Sequence, residues 1–317
     1  MNKKLLLPGS ITALLFVASC TKQTVHKADI PTTGTPDTVV FTLPPKVVDT
    51  VTITDNNNML LGNPTMATPD STKESNYLIN QTYYAESYSR SRGIPTWVSW
   101  HLQSEDIGGA GRQDDFRAYT SLPTGWYQVN ESSYSGSGFD RGHNCPSGDR
   151  TSTQAANSTT FLMTNMIPQA SKFNQGPWEG LEDFIRSSLV STGNEAFIVM
   201  GSYGVGGLGA GKTDTARTLD NGHVTVPKKV WKVVVAISKG TGDLNRITAN
   251  STILAVNMPN IDNLYGTSSS GKTAWQNYLT SVNDLEAEAK ANGVELDILR
   301  NINSAVKAAL KSKVYKP

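Results

Sequence analysis

The sequence predicts an α+β fold, a mixed or antiparallel sheet core with packed helices. β-prone apolar runs recur without regular strand–helix alternation, at 96–103 (TWVSWHLQ), 224–238 (VTVPKKVWKVVVAIS) and 251–260 (STILAVNMPN). Helical periodicity marks two other stretches, 177–192 and 273–290. With 38% hydrophobic and 17% charged residues, the 317-residue chain has the composition of a folded protein, long enough for one large domain or two small ones. A mixture of strands and a few helices in this order is the α+β pattern.

The chain opens with MNKKLLLPGSITALLFVASC, in which two lysines precede an apolar run and small residues lead to Cys20. That layout reads as an export signal, too short and wrongly flanked for a lasting transmembrane span. The ending VASC resembles a bacterial lipoprotein processing site. It implies a signal peptide over 1–19, lipid on the sulfur of Cys20, and a mature protein anchored to the cell envelope at the outer membrane or cell surface. Loss of Lys3 and Lys4 with the signal takes the formal charge from +1 to −1. Neither value indicates a strongly basic nucleic-acid binder, although arginines in one cleft can focus a field locally.

Residues 20–58, rich in Thr, Pro, Asp and Val, read as the lipid-anchored tether. The working domain is expected over 59–300, with a C-terminal tail over 301–317 in which SAVKAALKSK can add a last helix. Within the domain, NYLINQTYYAESYS (76–89) is strand material, and the strand at 96–103 carries His101 in a structural or surface role. Residues 104–138 are loop-rich. FLMTNMIPQ (161–169) reads as a short buried strand ending in a turn. In PWEGLEDFIRSSLVST (177–192), Pro177 suits a first helical turn, and Leu181, Phe184, Ile185 and Leu189 make one apolar face. Glu182 and Arg186 are four apart and so stand one turn above the other. AFIVMGSYG is a strand running into a glycine-rich segment, 201–222, able to widen or cover a cleft. The amphipathic stretch 273–290 is expected as one helix.

Two stretches match the phosphate-loop pattern G-x-x-x-x-G-K-(S/T), at 206–213 and 266–273. The first follows a strand but lacks the long helix that must come next. The second precedes a helix but does not directly follow a strand.

The densest chemistry lies in FDRGHNCPSGDR (139–150), which holds one of only four histidines, His143. Cys145, two residues on, invites a Cys–His nucleophile reading, but that leaves the nearby arginines without a role. Phosphodiester hydrolysis fits better. It needs a base for water, cations for the phosphoryl oxygens, and stabilisation of the leaving oxygen. Histidine titrates near neutrality and suits the first task. Arginine's fork matches phosphate oxygens, and a neutral Asn oxygen can hold a hard metal ion. Residue types and spacing alone leave open whether this is an enzyme or a binding module.

The chain resembles the DNA/RNA non-specific endonucleases, a family with a ββα-metal core. The blocks GIPTWVSWHLQ, GRQDDF, YSGSGFDRGHNCPSGDR, FLMTNMIPQASKFNQGPWEGLED, VPKKVWKVVV and AVNMPN occur in the family's order within residues 60–290. The resemblance implies a Mg²⁺-dependent hydrolase of DNA and RNA that leaves 5′-phosphate and 3′-hydroxyl ends, with Mn²⁺ or another divalent ion able to substitute. It implies His143 as general base, Asn174 as the direct protein ligand of a single Mg²⁺, and Glu182 as the residue that orders the metal's waters. Arg112, Arg141 and Arg186 would contact the phosphate or the transition state, and Asp140 would support the motif turn. Such a site grips backbone rather than bases, so both nucleic acids are open to it. The rival readings are a non-catalytic surface nucleic-acid-binding module and a nucleotide-binding enzyme using 266–273.

Overall fold

In the computed structural model, residues 54–190, 193–265 and 269–317 are described. The expected signal peptide, Cys20 and most of the expected tether lie outside them. The strands are β1 (Tyr77–Asn80), β2 (Ala85–Ser89), β3 (Ile94–Leu102), β4 (Phe139–His143), β5 (Met166–Ala170), β6 (Asn194–Tyr203), β7 (Thr218–Leu219), β8 (Val224–Thr225), β9 (Lys229–Ser238) and β10 (Thr252–Pro259). Six of them form one sheet in the order β1-β2-β3-β6-β9-β10, every neighbouring pair antiparallel. The α+β expectation holds, with an antiparallel main sheet.

Side chains alternate across this sheet. Val98, Trp100, Ile198, Met200, Val230 and Val234 face one core, while Trp97, Phe197, Val199, Trp231, Val233 and Val235 face the other. Both faces are covered, which is why VWKVVVAI is apolar at nearly every position rather than at every second one. The second face is covered by α6 (Val282–Ala291) and α7 (Ser304–Lys311), which follow the short α4 (Asp243–Arg246) and α5 (Ser269–Thr273) in the chain, together with Leu60, Leu61 and Leu299. The first is covered by the long connection from β3 to β6. That connection carries α1 (Gln154–Thr159), the β4–β5 pair and a helical run from Ser171 to Val190 made of α2 (Ser171–Phe173), a wide turn, α3 (Glu179–Phe184) and a second wide turn. The candidate site is therefore an insertion between two adjacent strands, laid on one face of their sheet.

Three stretches differ from their expected form. Residues 76–89 split into β1 and β2 around a turn closed by the Gln81 N–H donating to the Tyr84 carbonyl. The expected helix 273–290 breaks after a short turn at Ala274–Tyr278. There Leu279 bridges Val256 and the Thr280 N–H donates to the Ala255 carbonyl, so the edge of β10 takes backbone groups that a helix would have used. α6 then starts afresh, with Ser281 Oγ accepting from the Asp284 N–H at 3.1 Å. Lastly, the helical run over the site starts at Ser171, six residues ahead of Pro177. At the chain's end, Leu310 on α7 is fully buried and the Tyr315 ring lies against Phe184. No helix among the described residues is long and apolar enough to cross a membrane.

Candidate active site

The antiparallel register sets Arg141 opposite Pro168, Gly142 opposite Ile167 and His143 opposite Met166. The glycine between Arg141 and His143 is required by close approach, since a Cβ there would lie 1.9 Å from Gln169 Oε1. β5 leads directly into the helical run, and buried polar groups clamp the junction. Asn260 Oδ1 accepts from the Ala170 N–H at 2.8 Å while its Nδ2 donates to the Pro168 carbonyl at 2.9 Å. Asp262 Oδ1 accepts from the Lys172 N–H at 2.8 Å. This explains the AVNMPN block, whose last residue holds the turn between strand and helix.

The helical backbone departs from helical angles at Gly176 (φ −111°, ψ −106°) and resumes through Pro177, whose missing N–H costs nothing in a first turn. Sequence placed Pro177 correctly in a first turn. It did not show that Asn174 sits on helix rather than ahead of it. Wide turns and kinks of this kind redirect side chains and recur at functional sites.

Arg112, Arg141, His143, Asn174, Glu182 and Arg186 all line one cleft of about 670 Å³. The sequence thus named six residues, 74 positions apart at the extremes, that the fold brings to a common space.

His143 is half-buried at the cleft wall, its ring edge-on to Phe161 (4.8 Å between centroids) and tilted on Phe116 (5.7 Å). Its Nε2 has no hydrogen-bond partner among the described residues. Desolvation by these rings, then the Arg112 and Arg141 cations, push its pKa down to about 3. The imidazole is therefore neutral in the free protein. Arg141 lies over the Phe116 ring at 4.1 Å and pairs with Glu131. Arg112 lies over Phe161 at 4.9 Å, donates to Ser147 Oγ at 2.9 Å and pairs with Asp114 at 2.7 Å.

Asp140 organises the side of the cleft that holds Asn174. Its Oδ2 accepts from Asn174 Nδ2 and from Gln175 Nε2, both at 2.9 Å, and its Oδ1 accepts from Ser171 Oγ at 2.6 Å. With Nδ2 committed to Asp140, the Asn174 amide is oriented and its Oδ1 is left as an acceptor. Eight positions on, the Glu182 side chain is only 14% exposed and receives the Lys232 ammonium at 3.3 Å. Burial raises the Glu182 carboxyl above its usual range, against the pull of Lys232 and Arg186. Arg186 donates to Asp149 at 2.8 Å and Asp183 at 2.7 Å, and Asp149 is fixed from its other oxygen by Trp100 Nε1 at 2.9 Å. No group of three or more His, Cys, Asp and Glu side chains among the described residues is arranged to hold a metal. A site built on one neutral amide oxygen, with waters ordered by a nearby carboxylate, needs no such group. The donors present fit a hard divalent cation.

Cys145 takes no part in this chemistry. It is fully buried, its thiol pushed well up by burial, and its backbone is clasped on both sides by the Asn165 amide at 2.9 Å. Asn165 is thus a structural residue behind His143. Arg150 supports the strands, donating to the Tyr83 and His101 carbonyls, both at 2.7 Å. The segment 206–213 is no phosphate cradle, because the N–H groups of Gly206, Gly207, Leu208, Ala210 and Lys212 already donate to protein carbonyls. The glycine-rich segment 201–222 braces the start of β4 through Ala210 to Gly138 and contributes no lining residue to the cleft. Of 266–273, residues 266–268 lie outside those described, and Lys272 pairs with Glu179 at 2.7 Å.

Three contributors escaped the sequence reading. Glu131 opens a single helical turn with no pattern to mark it, and Phe116 ends the GRQDDF block without a role assigned to it. Lys232 did leave a signal, the one charge inside VWKVVVAI.

Residues 61–304 match the DNA/RNA non-specific endonuclease family. A nuclease from Nostoc sp. is 42% identical over 257 residues, covering 81% of this chain and 85% of that protein. Nuclease C1 of Cunninghamella echinulata is 33% identical over 157 residues, and human mitochondrial endonuclease G 32% over 155, each over 48% of this chain and 62% and 51% of their own lengths. Among solved structures, a crystal structure of an EndoG/EndoGI complex shares the fold with a TM-score of 0.60 at 24% identity, over 78% of this chain and 91% of that one.

Proposed function

Because this chain belongs to the DNA/RNA non-specific endonuclease family and is a nuclease, we propose that it hydrolyses DNA and RNA backbones with one divalent cation, Mg²⁺ by preference and Mn²⁺ or another by substitution, and with His143 as base. One observation carries this reading. A neutral imidazole lines the same cleft as an amide group oriented by Asp140.

The His143 imidazole takes a proton from a water as that water's oxygen forms the new bond to phosphorus. The bond from phosphorus to the 3′ oxygen breaks, and that oxygen takes up a proton from solvent, leaving 5′-phosphate and 3′-hydroxyl ends. Arg112, Arg141 and Arg186 hold the non-bridging oxygens as charge builds. Asn174 Oδ1 would hold the cation directly and Glu182 would order its waters. The bound ion supplies Lewis-acid stabilisation of the leaving oxygen. Backbone contacts of this kind carry little sequence information, so base preference is weak. The same proposal places the mature protein outside the cytoplasm, anchored through lipid on Cys20. Radiolabelled palmitate incorporation that survives Cys20→Ser would refute the anchor.

Purified protein incubated with plasmid and with RNA tests the activity. Cleavage of both with Mg²⁺, abolished by chelator, is expected. Cleavage of neither, in protein shown to be folded, would overturn the reading.

A further inference from the structure

Lys232 stands on β9, one strand in from the edge of the sheet, paired with Met200 of β6 on one side and Val256 of the edge strand β10 on the other. Its neighbours on the same face of β9 are Val230, Val234 and Ala236, all members of the apolar core. The side chain is completely buried, and its hydrogen-bond partner is Glu182 Oε1 at 3.3 Å. Otherwise the ammonium meets ring faces, 4.5 Å from the Trp178 centroid and 5.6 Å from that of Trp100. Removing an ammonium from water costs several kcal/mol, and an apolar side chain of similar volume would often fill such a place with equal or greater stability. Packing alone gives no reason for a lysine here.

The contacts suggest what the charge does. Trp178 and Glu182 are four positions apart on the helical run, one turn above the other, and Lys232 meets both. Trp100 beside it holds Asp149, which holds Arg186. Two supports thus rise from the sheet to successive charged residues of the site, one ending on Glu182 and the other on Arg186. We propose that Lys232 is a positioning residue of the nuclease site, its ammonium fixing the Glu182 carboxylate so that the carboxylate orders water around a divalent cation bound at Asn174. This rests on the metal-dependent reading above and deepens it. Outer partners that orient metal-site groups typically affect metal affinity or activity about 10–100-fold.

The test is Mn²⁺ binding to the protein without nucleic acid, followed by the electron paramagnetic resonance signal of the free ion, with kcat/KM on plasmid measured alongside. Lys232→Met should weaken Mn²⁺ binding by about tenfold and lower kcat/KM with it. In a Glu182→Gln background the same substitution should change neither by more than about twofold, because the group it positions is already gone. Mn²⁺ affinity that is unchanged or raised in Lys232→Met would overturn the proposal, as would a loss that adds in full to that of Glu182→Gln. If Lys232→Met alone does not fold, Glu182→Gln is compared with the double variant. Equal affinities then uphold the proposal and a further loss overturns it. Absence of Mn²⁺ binding by the parent protein is a different result, which would overturn the metal-dependent reading itself.

Discussion

The two faces of the central sheet each bury a network of charges, and the two networks are finished differently. Away from the cleft, Glu195 is completely buried. Its Oε2 meets His101 Nε2 at 2.9 Å, and its Oε1 accepts from Arg246 and from the Gly240 N–H. Arg246 also pairs with Asp243 at 2.7 Å, whose other oxygen accepts from the Asn56 N–H at 2.7 Å. Burial holds His101 below its usual pKa against the pull of Glu195, so a neutral ring donates to the carboxylate. The network is closed on itself. On the cleft side, Lys232, Glu182, Arg186 and Asp149 are as deeply anchored, yet they adjoin a cleft lined by the His143 imidazole and by an amide oxygen with capacity to spare. A buried histidine beside a carboxylate therefore does not mark a site by itself. Unspent hydrogen-bonding capacity on rigid supports, facing open space, does.

The largest effects should come from breaking the open side. His143→Ala removes the base and should lower kcat/KM on plasmid by about 10³-fold, within the usual range for general bases, with the thermal midpoint of unfolding unchanged. The closed side should respond in the opposite way. Glu195→Ala removes the acceptor of His101 and of the Gly240 N–H and leaves Arg246 with Asp243 as its remaining carboxylate partner, so denaturant unfolding should show a loss of about 1–3 kcal/mol while kcat of the folded enzyme stays at the parental value. A midpoint shift for His143→Ala as large as that for Glu195→Ala would erase the distinction.

A smaller and more local change sharpens it. A Cβ at Gly148 would lie 2.9 Å from Arg186 Nη1 and 3.0 Å from its Cζ. The guanidinium end can swing away, so Gly148→Ala should fold normally yet lose roughly tenfold to hundredfold in kcat, the cost of a displaced contact at a reacting centre. The smallest effect is in pH dependence. An imidazole whose pKa is pushed down to about 3 stays unprotonated as pH falls through 6.5, so the acid limb of kcat/KM should lie clearly below that value. A limb at 6.5 that vanishes in His143→Ala would show that the ring is solvated and ordinary in the free enzyme.

Much of this was legible in the sequence, and the exceptions have physical causes. Apolar runs marked β3, β6, β9 and β10 because their burial on both faces leaves a strong composition signal. DRGH and the downstream Asn174, Glu182 and Arg186 could be joined through a resemblance, since each lies on a regular element where spacing has geometric meaning. The break at Leu279 was invisible, because it depends on the edge of β10, a partner distant in sequence. Glu131 was invisible because it reaches the cleft through tertiary contacts alone, and Phe116, although it ends the GRQDDF block, gave no sign in sequence of its place under Arg141. Lys232 was visible as an anomaly in VWKVVVAI, but its meaning required knowing which face of β9 meets the helix.

In the proposed mechanism the cleft joins two separable halves, a base at His143 and a cation site at Asn174. Parallel measurement of Mn²⁺ binding and plasmid cleavage in His143→Ala and Asn174→Ala tests it most directly. His143→Ala should bind Mn²⁺ like the parent without cleaving, and Asn174→Ala should lose both. Parental cleavage by His143→Ala, or parental Mn²⁺ binding by Asn174→Ala, would contradict it.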